Sequence, residues 1–250
     1  MIYKLITKFY TKFSTYYENQ RFFQIEKKND KECNFSSEGF QILKKKNLIQ
    51  NHKFFFNVKQ SNSYMNKIIV PNKLIDELIN TYFVKNLLFE DITKLTGFNY
   101  SIDFFTAYET IFIPNSAKEN NVYANKWHSD KPYSRNTLKL IVPIETISNQ
   151  DGGIEIINKD NSKKYFKNPY HVDIDNYFRM TGDTDTFLLF NPNLCLHRAG
   201  IPSKSKSRKQ IMFQLNPSKK WSYSKNLYEL QNRREPKFPI FYSRSKYFFF

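Results

Sequence analysis

Apolar residues recur at three- and four-residue steps over residues 73–95, through Leu74, Ile75, Leu78, Ile79, Phe83, Leu87 and Leu88. That spacing predicts a helix with one buried face. Residues 1–20 show the same period in Ile2, Leu5, Ile6, Phe9, Phe13, Tyr16 and Tyr17, with lysines mainly on another face. Such a helix either packs on the domain or lies on a membrane surface as a basic amphipathic segment. Residues 27–32 read as a loop, and Ser36–Leu43 as a helical turn leading into a short strand. From about Asp103 the period shortens. Phe104–Pro114, Val122–Asp130, Thr137–Ile144, Gly153–Ile157, Thr186–Phe190, Leu194–His197 and Lys209–Leu215 are predicted strands separated by turn signals. This run of short strands predicts a mainly β chain with flanking helices, its core a double-stranded β-helix (a cupin-like jelly roll), rather than a parallel α/β sheet.

Within those strands one constellation carries chemistry. Trp127-His128-Ser129-Asp130 holds a His-x-Asp pair, His197 follows Asp130 by 67 residues, and Arg208 follows His197 by 11. Residues i and i+2 of a strand share a face, so His128 and Asp130 can hold one metal together. His197 completes a two-histidine, one-carboxylate face with open positions opposite, which suits a non-heme Fe(II) oxygenase. Arg208 is placed to hold a dicarboxylate co-substrate, since a guanidinium fork matches a carboxylate. Gln210 shares strand parity with Arg208 and is a candidate second contact. Lys139, on the strand after His-x-Asp, faces either the co-substrate or solvent. Arg198, next to a ligand, should point away from the metal. His52 and His171 have no companion at ligand spacing, and Asp173-x-Asp175 lies in a predicted loop without matching histidines.

Composition narrows the alternatives. The 250 residues carry a formal charge of +16, 18% aromatics and only six glycines. No P-loop or dinucleotide fingerprint is present. The lysines are scattered among Asn, Ile, Tyr and Phe, a pattern of a basic solvated surface rather than a nucleic-acid groove, and one compatible with an anionic substrate. Cys33 and Cys195 make no disulfide framework, and Cys195 reads as a buried, reduced small hydrophobe. Lysines interrupt the N-terminal apolar run, and no segment approaches 18 uninterrupted apolar residues. A soluble, cytoplasmic protein is therefore expected.

Across roughly residues 100–218 the chain resembles the phytanoyl-CoA dioxygenase-like branch of the Fe(II)/2-oxoglutarate oxygenases. The resemblance rests on Trp127–Asp130, Leu138–Ile144, Asp151-Gly152-Gly153 with Ile154–Ile157, His197-Arg198-Ala199-Gly200, and Arg208 with Gln210–Gln214. It implies His128, Asp130 and His197 as iron ligands and Arg208 as the anchor of the distal 2-oxoglutarate carboxylate. It further implies a hydroxylase releasing succinate and CO2. Related halogenases lack the carboxylate that Asp130 supplies. After the Gly-Gly turn the chain departs from its relatives with Asn158–Lys164, so the resemblance supports the chemistry better than any acyl-CoA substrate.

The expectation is one structural domain: residues 1–100 buttress the barrel, 101–218 form the oxygenase core and 219–250 an extension. The substrate expected is a small-molecule, lipid- or carrier-linked metabolite, with no nucleic-acid partner. Peripheral membrane contact through the N-terminal helix or the tail Tyr247–Phe250 is the alternative to packing on the barrel. A non-catalytic jelly-roll binder and a basic nucleic-acid-binding protein are the rival functions.

Overall fold

The computed structural model describes residues 38–46, 57–59, 64–120, 122, 124–130, 136–166, 174–224, 227 and 247–249. The expected helix over 1–20, the loop at 27–32, Cys33, His52, His171 and Asp173 lie outside them. The described strands are β1 (Phe40–Lys44), β2 (Asn57–Lys59), β3 (Met65–Ile69), β4 (Asn99–Ile111), β5 (Leu138–Pro143), β6 (Glu155–Ile156), β7 (Phe178–Arg179), β8 (Thr186–Phe190), β9 (His197–Arg198), β10 (Ser207–Ser218), β11 (Ser222–Ser224) and β12 (Tyr247–Phe249). They form two sheets. The larger runs β1-β8-β5-β10-β4-β11-β12, with β3 also paired to β4 and β2 beyond it; the smaller runs β7-β6-β9. Every pairing is antiparallel except that of β4 with β11. This is the two-sheet jelly roll that the strand pattern predicts.

Alternation along the strands assigns each face of the large sheet its own core. On one face Leu138, Leu140, Val142, Phe187, Leu189, Ile211, Phe213 and Leu215 join a cluster with Ile75, Leu78, Ile79, Tyr82, Phe83, Leu88 and Ile92 of the helices. On the other, Ile141, Leu188 and Phe190 meet Ile156 of the small sheet and Ile154 just before it, with Met212 and Phe40 packed alongside. Period two thus sorts neighbouring residues into opposite cores. The inner face of β5 and β10 is shared by Lys139, Arg208 and Gln210, because these match the parity of Ile141 and Met212.

The helical layer departs from the single helix expected over 73–95. Helix α1 (Asn72–Ile79) passes into a π-helical turn (Asn80–Lys85), and α2 (Leu88–Thr96) restarts beyond it. Leu87 takes a left-handed conformation (φ 56°), and the Asn86 amide reaches back to the Thr81 carbonyl at 3.0 Å. A π turn shifts the helical phase and brings both Tyr82 and Phe83 into the core. Their rings make edge-on contacts with Phe213, at 6.5 and 5.4 Å between centroids, and Phe105 approaches the same ring at 5.2 Å. Phe213→Ala is therefore expected to cost about 3–5 kcal/mol of stability, the range for a fully buried Phe. Urea unfolding would check it, and a loss below about 1 kcal/mol would contradict this packing account.

Candidate metal centre

Residues 122–130 do not form the strand expected of them. The described part of this segment is irregular, and main-chain bonds tie it to the rest of the fold: a two-bond bridge and two single bonds, one of them from the Ala199 amide to the Ala124 carbonyl at 2.9 Å. The amide of His128 donates to the carbonyl of His197 (3.0 Å) and that of His197 to the carbonyl of His128 (2.9 Å). Two residues on, the Asp130 amide donates to the Pro192 carbonyl at 2.9 Å. Asn125 shapes the approach, its side chain accepting from Val122 N–H and donating to the carbonyls of Lys118 and Asn120. The ligand pair is thus registered by hydrogen bonds to its partner segment rather than by a strand of its own.

The small sheet positions His197. Strand β9 pairs with β6, placing Ile156 opposite His197 and Glu155 opposite Arg198. Two glycines of the sequence motifs make this possible. Gly152 has φ 66°, and a Cβ there would lie 2.4 Å from the Pro202 nitrogen; a Cβ on Gly200 would lie 2.1 Å from the Gly153 carbonyl oxygen. The segment after His197 and the Gly-Gly turn therefore touch backbone to backbone, which no side chain would allow. Asp151 closes the preceding 3₁₀ turn, its carboxylate accepting from the Ser148 amide at 2.8 Å.

His128, Asp130 and His197 converge. One ligand atom from each lies within 4.8 Å of the others. Asp130 Oδ1 stands 3.9 Å from His128 Nε2 and 3.8 Å from His197 Nε2, and the two imidazole rings are 4.4 Å apart. His128 Nδ1 is 2.9 Å from the Lys126 carbonyl, and His197 Nδ1 is 3.1 Å from that of Cys195. A carbonyl only accepts, so both Nδ1 atoms carry the proton and both Nε2 atoms present lone pairs. His197 Nε2 is buried with no hydrogen-bond partner among the described residues. Unpartnered buried nitrogen is costly, and a cation between the three donors would satisfy it. The residues therefore fit a divalent metal, with two imidazoles and one carboxylate as the donor set.

Burial drives the His197 pKa down to about 3, aided by the Lys139 cation and by His128 and opposed by Asp130. The ring is thus neutral and ready to ligate at ordinary pH. Burial pushes the Asp130 carboxyl up, but the Lys139 ammonium together with the two histidines outweighs it and leaves the carboxyl below its usual range. Lys139 Nζ lies 2.5 Å from Asp130 Oδ2 with a side chain only 14% exposed. Between solvent and co-substrate, the two readings open for this residue, the structure adds a third: contact with a candidate ligand.

The depressed His197 pKa has a sign-defined consequence. Between pH 6.5 and about 3 an unfolded histidine takes up a proton that the folded one does not, so stability present above 6.5 is lost as pH falls through this window. The slope is at most about 1.4 kcal/mol per pH unit. In chelator-treated protein, His197→Gln should remove this decline between pH 6.5 and 5, above most carboxylate titrations. Identical pH dependence of urea midpoints in wild type and variant would refute it.

Arg208 is 1% exposed and Gln210 fully buried, both on the inner face of β10. Gln210 Nε2 donates to Tyr108 Oη, while its Oε1 is buried without a hydrogen-bond partner among the described residues. Arg198 points away from the three ligands, as strand parity predicts. Its guanidinium sits 4.4 Å from the Trp127 ring centroid and pairs with the buried Glu155 at 2.5 Å, while Arg179 takes the other Glu155 oxygen at 2.6 Å. Trp127 of the motif is thus a packing residue that holds the His128 segment against β9. Cys195 is buried, and burial raises its thiol to about 12, consistent with a small hydrophobe rather than a ligand. No helix among the described residues is long and apolar enough to cross a membrane.

No protein-family model and no curated protein sequence matches the chain. Among solved structures it is similar to the non-heme alpha ketoglutarate dependent epimerase SnoN from nogalamycin biosynthesis, at 8% identity and TM-score 0.52, over 74% of this chain and 80% of that one. It is also similar to HygX from Streptomyces hygroscopicus, determined with nickel, 2-oxoglutarate and hygromycin B bound, at 11% identity and TM-score 0.50, over 75% of this chain and 86% of that one. At such identities the likeness concerns architecture: the chain has the jelly-roll fold of these proteins.

Proposed function

We propose that this protein is an Fe(II)/2-oxoglutarate-dependent dioxygenase that hydroxylates a small-molecule, lipid- or carrier-linked metabolite. The carrying observation is the convergence of His128 Nε2, Asp130 Oδ1 and His197 Nε2 around one position, with His197 Nε2 buried and unsatisfied. SnoN, an alpha ketoglutarate dependent epimerase, and HygX, determined with nickel and 2-oxoglutarate bound, share the fold, which agrees with this reading. When bound, iron and 2-oxoglutarate supply the oxidising chemistry, with O2 as oxidant and succinate and CO2 as co-products.

The chain's part is binding and orientation. His128, Asp130 and His197 would hold the metal, each imidazole fixed in tautomer by a backbone carbonyl. Arg208 offers the distal carboxylate of 2-oxoglutarate a guanidinium on the inner face of β10, where burial strengthens a charge-assisted contact. Gln210 seconds it. With its amide turned over, Tyr108 donates to Oε1 and Nε2 becomes an available donor, two arrangements that differ only in which end is oxygen. The buried aromatic and aliphatic walls, Phe190 against the His197 ring at 5.1 Å among them, restrict water around the ligands.

Incubation with Fe(II), 2-oxoglutarate and O2 should yield succinate, faster when the true substrate is added. Asp130→Ala should abolish hydroxylation, and chloride should not divert the wild-type product, because Asp130 fills the position a halide would take. Iron-loaded protein that forms no succinate across a broad metabolite panel would leave a binding module in place of an enzyme. A chlorinated wild-type product would remove the role given to Asp130.

A further inference from the structure

The Asp130 carboxylate is shared between two environments. Its Oδ1 faces both imidazole nitrogens at 3.8–3.9 Å, while Oδ2 meets the Lys139 ammonium at 2.5 Å. Lys139 is fixed in turn by the strand that bears it. On β5 it lies between Phe190 of β8 and Gln214 of β10, and its neighbours Leu138 and Leu140 point into the opposite core. A lysine on an inner sheet face is disfavoured unless its charge is paired. Here the pairing partner is the carboxylate of the candidate metal site. Two consequences follow from simple electrostatics. Held by an ammonium, Oδ2 is kept from joining Oδ1 as a second donor. The lysine's charge also offsets that of Asp130, so a site loaded with a divalent cation keeps a full +2 from these three groups and attracts a dianion more strongly.

We propose that Lys139 is a positioning residue that holds Asp130 to one donor oxygen and keeps the loaded site cationic, so that metal affinity is reduced and affinity for a dianionic 2-oxo acid is raised. This rests on the metal-centre reading above. It makes two predictions of opposite sign, which a merely structural lysine does not.

The test uses nickel(II), then 2-oxoglutarate added to nickel-loaded protein, both followed by calorimetry in the full chain without O2, together with the visible absorption of a cobalt(II)-loaded sample. Lys139→Met should bind nickel more tightly, by on the order of tenfold, the scale of removing a like charge from beside a cation in a partly screened site. The same variant should bind 2-oxoglutarate more weakly by a similar factor. Its cobalt spectrum should weaken as the second oxygen joins the metal. Lys139→Arg, which keeps the charge and the donors, should lie near wild type on all three readouts.

Weaker binding of both nickel and 2-oxoglutarate by Lys139→Met, or no change in either, would overturn the proposal. So would weaker 2-oxoglutarate binding with unchanged nickel affinity and cobalt spectrum, which would make Lys139 a direct co-substrate contact. If Lys139→Met fails to fold, Lys139→Gln is judged by the same criteria. Failure of the underlying reading looks different: wild type itself would take up no nickel.

Discussion

Replacing His197 by alanine should lower divalent metal affinity by at least about a hundredfold, beyond the tenfold to hundredfold that groups contacting a ligand usually carry. The variant removes a donor whose Nε2 is already buried and unsatisfied, and it leaves the two backbone bonds to His128 in place. Folding should survive, because those bonds use main-chain atoms and the lost ring was not paying for itself by hydrogen bonding at Nε2. Circular dichroism would confirm the fold, and calorimetry with nickel or iron would measure the loss. A folded His197→Ala protein with wild-type metal affinity would place the metal elsewhere and end the proposed reading.

The second large effect concerns Arg208. Arg208→Ala should weaken 2-oxoglutarate binding to metal-loaded protein by more than tenfold, since loss of a buried charge-assisted contact costs on the order of 2–5 kcal/mol. Metal affinity should change little, because Arg208 lies on β10 and the three ligands come from the segment before β5 and from β9. Arg208→Lys should recover part of the loss: it restores the charge but not the planar fork. If both variants bind 2-oxoglutarate as wild type does, the guanidinium serves the fold and another group holds the co-substrate. Two like charges on one inner face, Lys139 and Arg208, also make the pair of substitutions a test of division of labour. Lys139→Met should move metal and co-substrate affinity in opposite directions, Arg208→Ala only the latter.

Much of this arrangement was readable from residue order. Strand β8 coincides with the predicted Thr186–Phe190, β5 lies just inside the predicted Thr137–Ile144, and β10 extends beyond the predicted Lys209–Leu215 at both ends, because strands buried on both faces read as short apolar runs bounded by turn signals. The three candidate ligands were legible for another reason: a His-x-Asp pair and a distant His among strand-like segments have few chemical uses. Three features were not legible. The His128 segment is irregular and is held by main-chain bonds to residue 197, which leave no mark on side-chain identity. The break at Asn86-Leu87 interrupts a run whose apolar period continues through it, so periodicity could not locate the π turn. Lys139's pairing with Asp130 depends on which sheet face meets which loop. Its parity with Ile141 was the available signal, and it becomes informative only once Ile141 is known to face the small sheet.

The reciprocal bonds between His128 and His197 also bear on how such a protein can change. They close the intervening 68 residues into a loop whose two ends are clasped at the candidate metal site, so the separation of the candidate ligands is set at the clasp and not by the contour length between them. Insertions or deletions within that loop can reshape the surroundings of the site while the donors stay in register. A library that varies the stretch from Asn158 to Phe166, including the short helix there, should therefore alter what the site accepts far more often than whether it holds metal.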